Sequence, residues 1–351
     1  MSRLNFDTFC GHAANGRLAV LQQMVESGKL PVNGNVQIAL VLAAENGHVD
    51  VVDYLLRNAE VDPSAHGNRA IQLAAARGHL AVVERLLQDA RVDPSACHNY
   101  AVGLAAANGH LAVVERLLQD ARVDPSAKDS YAVGGAAERG HLAVVERLLQ
   151  DKRVDPSGDN NYAVRLAAEN GHVAVVERLL QDERVDPSAD DSDAVQLAAQ
   201  KGHVAVVERL LQDLRVDPSA RQNSAMRWAA QHGHLAVVER LMQDERVDAS
   251  ADDNYAVRLA AESGYFAVVD QLLEDDRVDA AIAIQCSRSE HRKRFECRER
   301  LTEICIALQA MELPAWVTIK ILYAARPWST LPLHSKWSLV CAVKHYRDKK
   351  Q

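Results

Sequence analysis

A chain of 351 residues, 48% hydrophobic and 25% charged, has the composition of a soluble folded protein and excludes the disordered and fibrous classes. Aromatic residues make up only 5%, so the core must be aliphatic. The net charge of −8 is uneven: from Gln285 onward 13 Lys/Arg stand against 6 Asp/Glu, which leaves residues 1–284 at −15, an acidic body with a basic tail.

The opening Met1–Asp7 holds no apolar run that could serve as a signal peptide, and no stretch approaches the ~18 apolar residues of a membrane span. Six cysteines (Cys10, Cys97, Cys286, Cys297, Cys305, Cys341) show no paired spacing, which fits reduced thiols better than a disulfide framework. The expectation is a soluble, cytoplasmic protein, with the nucleus as the other compartment open to it.

One glycine recurs at Gly16, Gly47, Gly78, Gly109, Gly140, Gly171, Gly202, Gly233 and Gly264, always 31 residues apart and without insertion. Histidine follows it in seven copies, from His48 to His234. In the unit around Gly171, Val164, Ala167 and Ala168 mark one face of a short helix that the glycine ends in a left-handed conformation. Val173, Val176, Leu179 and Leu180 mark the buried stripe of a second helix. A Val-Asp-Pro-Ser segment stops it, because proline cannot continue a helix and forces the preceding residue toward extended geometry. Asn68, Asn99, Ser130, Asn161, Ser192, Asn223 and Asn254 precede the first helices and are expected to cap them. Each unit is a helix–turn–helix too small to bury its apolar face alone, so the units must stack. The predicted fold class is all-α: a helix-turn-helix solenoid of nine repeats over residues 5–282, followed by a short helical subdomain over 283–351.

The string Leu-Ala-Ala-x-x-Gly-His-x-x-Val-Val-x-x-Leu-Leu, as at Leu42–His48 and Leu73–His79, resembles the ankyrin repeat. The resemblance covers residues 5–282 and implies a non-enzymatic protein-binding scaffold. Two features depart from the family: the period is 31 instead of about 33, and the Asp-Gly of a projecting hairpin is missing. Short turns are therefore expected in place of fingers.

The repeated histidines lie on successive units without other ligands at metal-binding spacing, and they read as structural groups bonding neighbouring loop backbone. No phosphate loop, nucleophile elbow or catalytic carboxylate pair stands out, so no catalytic residue, cofactor or metal is expected. Comparison of the copies separates constant from variable positions. The second helix hardly changes, whereas variation gathers before the glycine (Asn46, Arg77, Asn108, Arg139, Asn170, Lys201, His232), at the loop tips, and in a first-helix column containing Arg165, Arg227 and Arg258. In ankyrin-like stacks the first two places line the concave face, and these residues are the candidate contacts for a protein partner. Trp228 stands where other copies carry leucine, a place that favours a core role. Tryptophan is also favoured at interface centres, and Trp228 is counted with the candidate contacts.

After Ile282 the period ends. The basic stretch Ser287–Arg300 interleaves glutamates at helical spacing, which favours a solvated face over nucleic-acid binding. Leu313-Pro314, with Val317 and Ile321-Leu322 following, weakly resembles the start of an F-box. That resemblance implies binding of a Skp-type adaptor, and with it an alternative role as substrate receptor of a cullin-type ubiquitin ligase. The other reading is a helical cap on the last repeat.

Overall fold

The computed structural model describes residues 3–27, 36–57, 61–279 and 282. They form eighteen α-helices and no strand. In chain order these are α1 (Arg3–Ala14), α2 (Leu18–Glu26), α3 (Val36–Glu45), α4 (Val49–Leu56), α5 (Ala65–Ala76), α6 (Leu80–Leu87), α7 (Ala96–Ala107), α8 (Leu111–Leu118) and α9 (Ala127–Glu138). They continue as α10 (Leu142–Leu149), α11 (Gly158–Glu169), α12 (Val173–Leu180), α13 (Ala189–Lys201), α14 (Val204–Leu211), α15 (Ala220–His232), α16 (Leu235–Met242), α17 (Ala251–Ser263) and α18 (Phe266–Leu272). By packing, the chain divides into a unit ending at Asp248 and one beginning at Ala249. In the first unit each odd-numbered helix packs on the next odd-numbered one, and the even-numbered helices do likewise, as in an ankyrin-like helical solenoid. In the second unit α17 packs on α18. The expected boundary after residue 282 falls at the edge of the described residues. None of the described helices is long and apolar enough to cross a membrane.

The core repeats with the sequence. Paired alanines such as Ala74-Ala75, Ala136-Ala137 and Ala167-Ala168 are fully buried, and their small side chains let successive first helices approach closely. Leu86, Leu117, Leu148, Leu179, Leu210 and Leu241 fill the second layer at 0% exposure. The expected stripe on α12 needs one correction. Val175, Val176 and Leu179 are buried, while Val173 and Leu180 are half-buried, because at about 100° per residue the buried face of this short helix is centred on 175, 176 and 179 and leaves 173 and 180 at its edges.

The repeated glycine takes the left-handed conformation expected of it, with φ +79° at Gly171. The peptide N–H of His172 donates to the Ala167 carbonyl (2.9 Å) and that of Gly171 to Ala168 (3.3 Å), the paired closure of a Schellman end. The glycine also makes room. A Cβ built at Gly140 would stand 2.5 Å from Nδ1 of His172, in the next unit. Nε2 of that ring meets the Glu138 carbonyl at 3.0 Å, and His48, His79, His110 and His234 bond the preceding first helix in the same way. These histidines are structural, as expected. Burial holds the His141 imidazole below its ordinary pKa, in keeping with a neutral ring.

The loops hold two devices that the sequence reading did not foresee. In the first, Asp182 and Arg184 form a two-pronged ion pair (2.9 and 2.7 Å), while Arg184 Nη1 reaches the Val154 carbonyl of the preceding unit at 2.9 Å. The same fork recurs at Asp89/Arg91, Asp120/Arg122, Asp151/Arg153, Asp213/Arg215 and Asp244/Arg246, each arginine bonding the valine carbonyl thirty residues earlier. The second device corrects the expected caps. Asn161 does not cap α11. It lies in a left-handed run with Asp159 and Asn160 (φ 51°, 53° and 59°), and its Oδ1 accepts from the peptide N–H of Asp186 in the next unit (2.7 Å). Asn68, Asn99, Ser192, Asn223 and Asn254 bond the aspartate 25 residues on in the same manner. Left-handed backbone suits Asn, Asp and Gly best, which explains the composition of the loop tips. Asn161 and Ser192 are buried, and a buried N–H without an acceptor costs about 1–3 kcal/mol.

The forks give the stability a pH dependence. Hydrogen bonds from the arginines hold the carboxyls of Asp89, Asp120, Asp151, Asp182, Asp213 and Asp244 below the usual carboxylate range. A carboxyl depressed in the folded state stabilises fully above its unfolded pKa of about 3.9, and that contribution is lost as pH falls through the folded value. Since the arginine heads are partly open to water, each fork contributes on the order of 0.5–1 kcal/mol. Urea midpoints should therefore be flat from pH 7 to 5 and fall steeply below pH 4. Asp182→Asn should lower the midpoint at pH 7, and its difference from the parent should shrink as the pH falls below 4.

Candidate partner-binding surface

The variable residues before the glycines close the C-terminal ends of the first helices, as the residue just past the helix or its last one, so the 31-residue period repeats them in equivalent places unit after unit. Asn46, Arg77, Arg139, Asn170, Lys201 and His232 are exposed and Asn108 is half-buried. Several bridge neighbouring units: Arg77 pairs with Glu45 (2.9 Å), Lys201 with Glu169 (3.3 Å), and Arg139 donates to Asn108 Oδ1 (2.8 Å). Asn46, Asn108 and Asn170 each turn an amide back onto the carbonyl of the leucine four residues earlier in their own helix. The row thus presents amides, cations and carboxylates already oriented by their neighbours, which lowers the ordering cost of docking on it.

The second candidate column is more inward. Gln72 and Gln196, which stand at the place of the arginines, are buried and bond loop-tip carbonyls. Arg165 is half-buried in an ion pair with Asp193 of the next unit (2.9 Å), and Arg227 donates to the Arg221 carbonyl (2.8 Å). In the second unit Arg258 lies 4.9 Å over the ring of Tyr255. This column is therefore engaged in holding the chain together. Its members alternate with what faces them. Arg165 meets Asp193, whereas Gly103 and Gly134 lie beneath the rings of Tyr131 and Tyr162, with a built Cβ 2.8 and 3.2 Å from ring carbons.

Trp228 is not a core residue. Its side chain is 38% exposed, where the corresponding leucines 73, 104, 166 and 197 are half-buried, because an indole is too large for the space a leucine tucks into. Its ring lies 6.0 Å from that of His232, which in turn stacks on His234. Exposed Tyr131 and Tyr162 add two aromatic faces on the same helical position of successive units. The sequence reading overlooked both. Their signal was the coincidence of a tyrosine with a glycine 28 residues earlier. Leu313, Pro314, Val317, Ile321 and Leu322 lie outside the described residues. Among the described residues no group of three or more His, Cys, Asp or Glu is placed to hold a metal ion.

A family model described as ankyrin repeats matches the chain at residues 9–96, 99–191, 133–222 and 195–284, well over half of its length. Comparison with curated proteins gives no match.

Proposed function

This chain belongs to the ankyrin-repeat family, and we propose on that footing that it is a non-enzymatic scaffold that docks a partner protein on the face carrying the ends of its first helices, the face expected to be concave. The observation that carries the reading is the row Asn46, Arg77, Asn108, Arg139, Asn170, Lys201 and His232, repeated in register and flanked by exposed Tyr131, Tyr162 and Trp228. A constant frame with variable, solvent-facing polar groups beside aromatic anchors is the composition of a recognition surface. The second helices are nearly identical from copy to copy and offer no such variety. The partner bears surface complementary to an acidic body, since residues 1–284 carry −15.

The test is affinity capture from cells with the full chain and two variants of equal stability. Arg77→Glu/Arg139→Glu/Lys201→Glu with Trp228→Ala should lose the proteins that the parent captures. Glu84→Gln/Glu115→Gln/Glu146→Gln, on the second helices, should keep them. Retention by the first variant and loss by the second would overturn the proposal.

A further inference from the structure

Asparagine precedes the repeated glycine at Asn15, Asn46, Asn108 and Asn170. A further Asn-Gly pair, Asn33-Gly34, lies outside the described residues. Such a pair carries a reaction of its own. The glycine nitrogen, unhindered for want of a Cβ, attacks Cγ of the asparagine. A C–N bond forms, the amide nitrogen leaves as ammonia with the glycine's proton, and water opens the resulting five-membered imide at either carbonyl. The products are aspartate and isoaspartate, in which the backbone runs through the former side chain.

The fold holds every one of these four pairs away from that reaction. The glycine N–H groups donate to the carbonyls of Ala13 (3.2 Å), Ala44 (3.3 Å), Ala106 (3.0 Å) and Ala168 (3.3 Å). Nδ2 of each asparagine donates to the carbonyl four residues earlier, those of Gly11, Leu42, Leu104 and Leu166, at 2.6, 2.8, 2.7 and 2.9 Å. Closing the imide ring requires the asparagine Cβ and the glycine nitrogen to eclipse about the Cα–C bond. At ψ 6° for Asn108 and 3° for Asn170 the glycine nitrogen eclipses the asparagine's own nitrogen instead. The reaction therefore waits on opening of the helix end, and opening differs among the units. Asn15 belongs to the first unit, which packs on one neighbouring unit where internal ones pack on two, and the ends of a stacked array open most readily. Asn46 and Asn170 are exposed in internal units. Asn108 is half-buried, and its Oδ1 also accepts from Arg139 of the next unit (2.8 Å), so both amide atoms are held.

We propose that Asn15, Asn46, Asn108 and Asn170 are sites of spontaneous deamidation, gated by opening of the first-helix ends, with Asn15 the fastest and Asn108 the slowest. Each aspartate formed adds a negative charge to an already acidic body. Each isoaspartate lengthens the backbone by one carbon where the N–H groups of the glycine and the following residue close the helix, as Gly171 and His172 do on Ala168 and Ala167, and that paired closure is lost. Asn46, Asn108 and Asn170 also stand in the proposed docking row, so its charge changes as the chain ages. The deamidation itself does not depend on the docking reading.

The test keeps the full chain in mildly alkaline buffer, native in one series and in urea above its unfolding transition in the other, and follows each site by peptide mapping and mass spectrometry. In urea the four pairs should convert at similar rates, since the flanking residues are alike. In the native series all four should slow, Asn15 least, with Asn108 about tenfold or more slower than Asn15 and the other two between them. Arg139→Ala, a surface change, frees Oδ1 of Asn108 and should speed conversion there about threefold while leaving Asn15 unchanged. Native rates equal to those in urea, Asn108 converting as fast as Asn15 in the native chain, or a rate at Asn108 unchanged or lowered by Arg139→Ala would overturn the proposal.

Discussion

Gly140→Ala should cost about 1–2.5 kcal/mol of stability, although it adds one methyl group near the surface. Two physical terms oppose the substitution and a third offsets them in part. At φ +75° an L-residue pays about 1–2 kcal/mol for left-handed backbone. The new Cβ also falls 2.5 Å from Nδ1 of His172, so the ring must move and loosen its 3.0 Å bond to the Glu138 carbonyl, a loss of about 1 kcal/mol. The entropy removed from the unfolded chain offsets only about 0.4–1 kcal/mol. Equilibrium urea unfolding of Gly140→Ala, His172→Ala and the double variant separates the terms. With the ring gone, the second substitution should cost only the left-handed strain. Full additivity would mean that the close approach of glycine and histidine carries no energy. Gly11→Ala is the control, since Gly11 has nothing within 4 Å and no left-handed backbone, and it should be neutral or slightly stabilising.

Leu148→Ala should lower stability by about 2–5 kcal/mol, since the side chain is 0% exposed at the centre of the first unit and its neighbours on α8, α10 and α12 cannot all close on the cavity. The place of the loss matters as much as its size. A stacked array is stabilised mainly by contacts between adjacent repeats, so the damage should stay local. Hydrogen exchange should accelerate first in α8, α10 and α12, with α4 keeping its protection at low denaturant. A uniform rise in exchange across α4 to α16 would show instead that the unit unfolds only as a whole.

The fold was legible because the sequence states it nine times. Glycine at a fixed period, alanine pairs three residues before it, and a Val-Asp-Pro stop each have one physical reading, and copying removes ambiguity that a single unit would leave. The histidines were legible for the same reason, since a ring beside the glycine in seven successive copies has a neighbour one period away. The loops were misread where two explanations fit one residue. Asn161 before a helix looks like a cap, and only the backbone, left-handed over three residues, shows that its amide oxygen serves the next unit instead. The Asp182–Arg184 fork recurs as regularly as the glycine, yet charged residues in a turn are commonly solvated, and the valine carbonyl they reach is thirty residues away. Trp228 was misplaced because its position is a leucine's elsewhere; the volume of an indole, not the pattern, decides that it stands out. The candidate surface is half legible. Variation between copies marks the row from Asn46 to His232, but the same variation also marks Arg165 and Gln196, which the structure uses for internal bonds.

The central claim is that partners dock on the first-helix face and not on the second helices. The most direct measurement is hydrogen exchange of the full chain with and without a captured partner. The account predicts slowed exchange at the last turns of α5, α7, α9, α11, α13 and α15 and at their loop tips, with α6, α8, α10, α12 and α14 unchanged. Protection confined to those second helices, with the ends of the first helices unaffected, would contradict it.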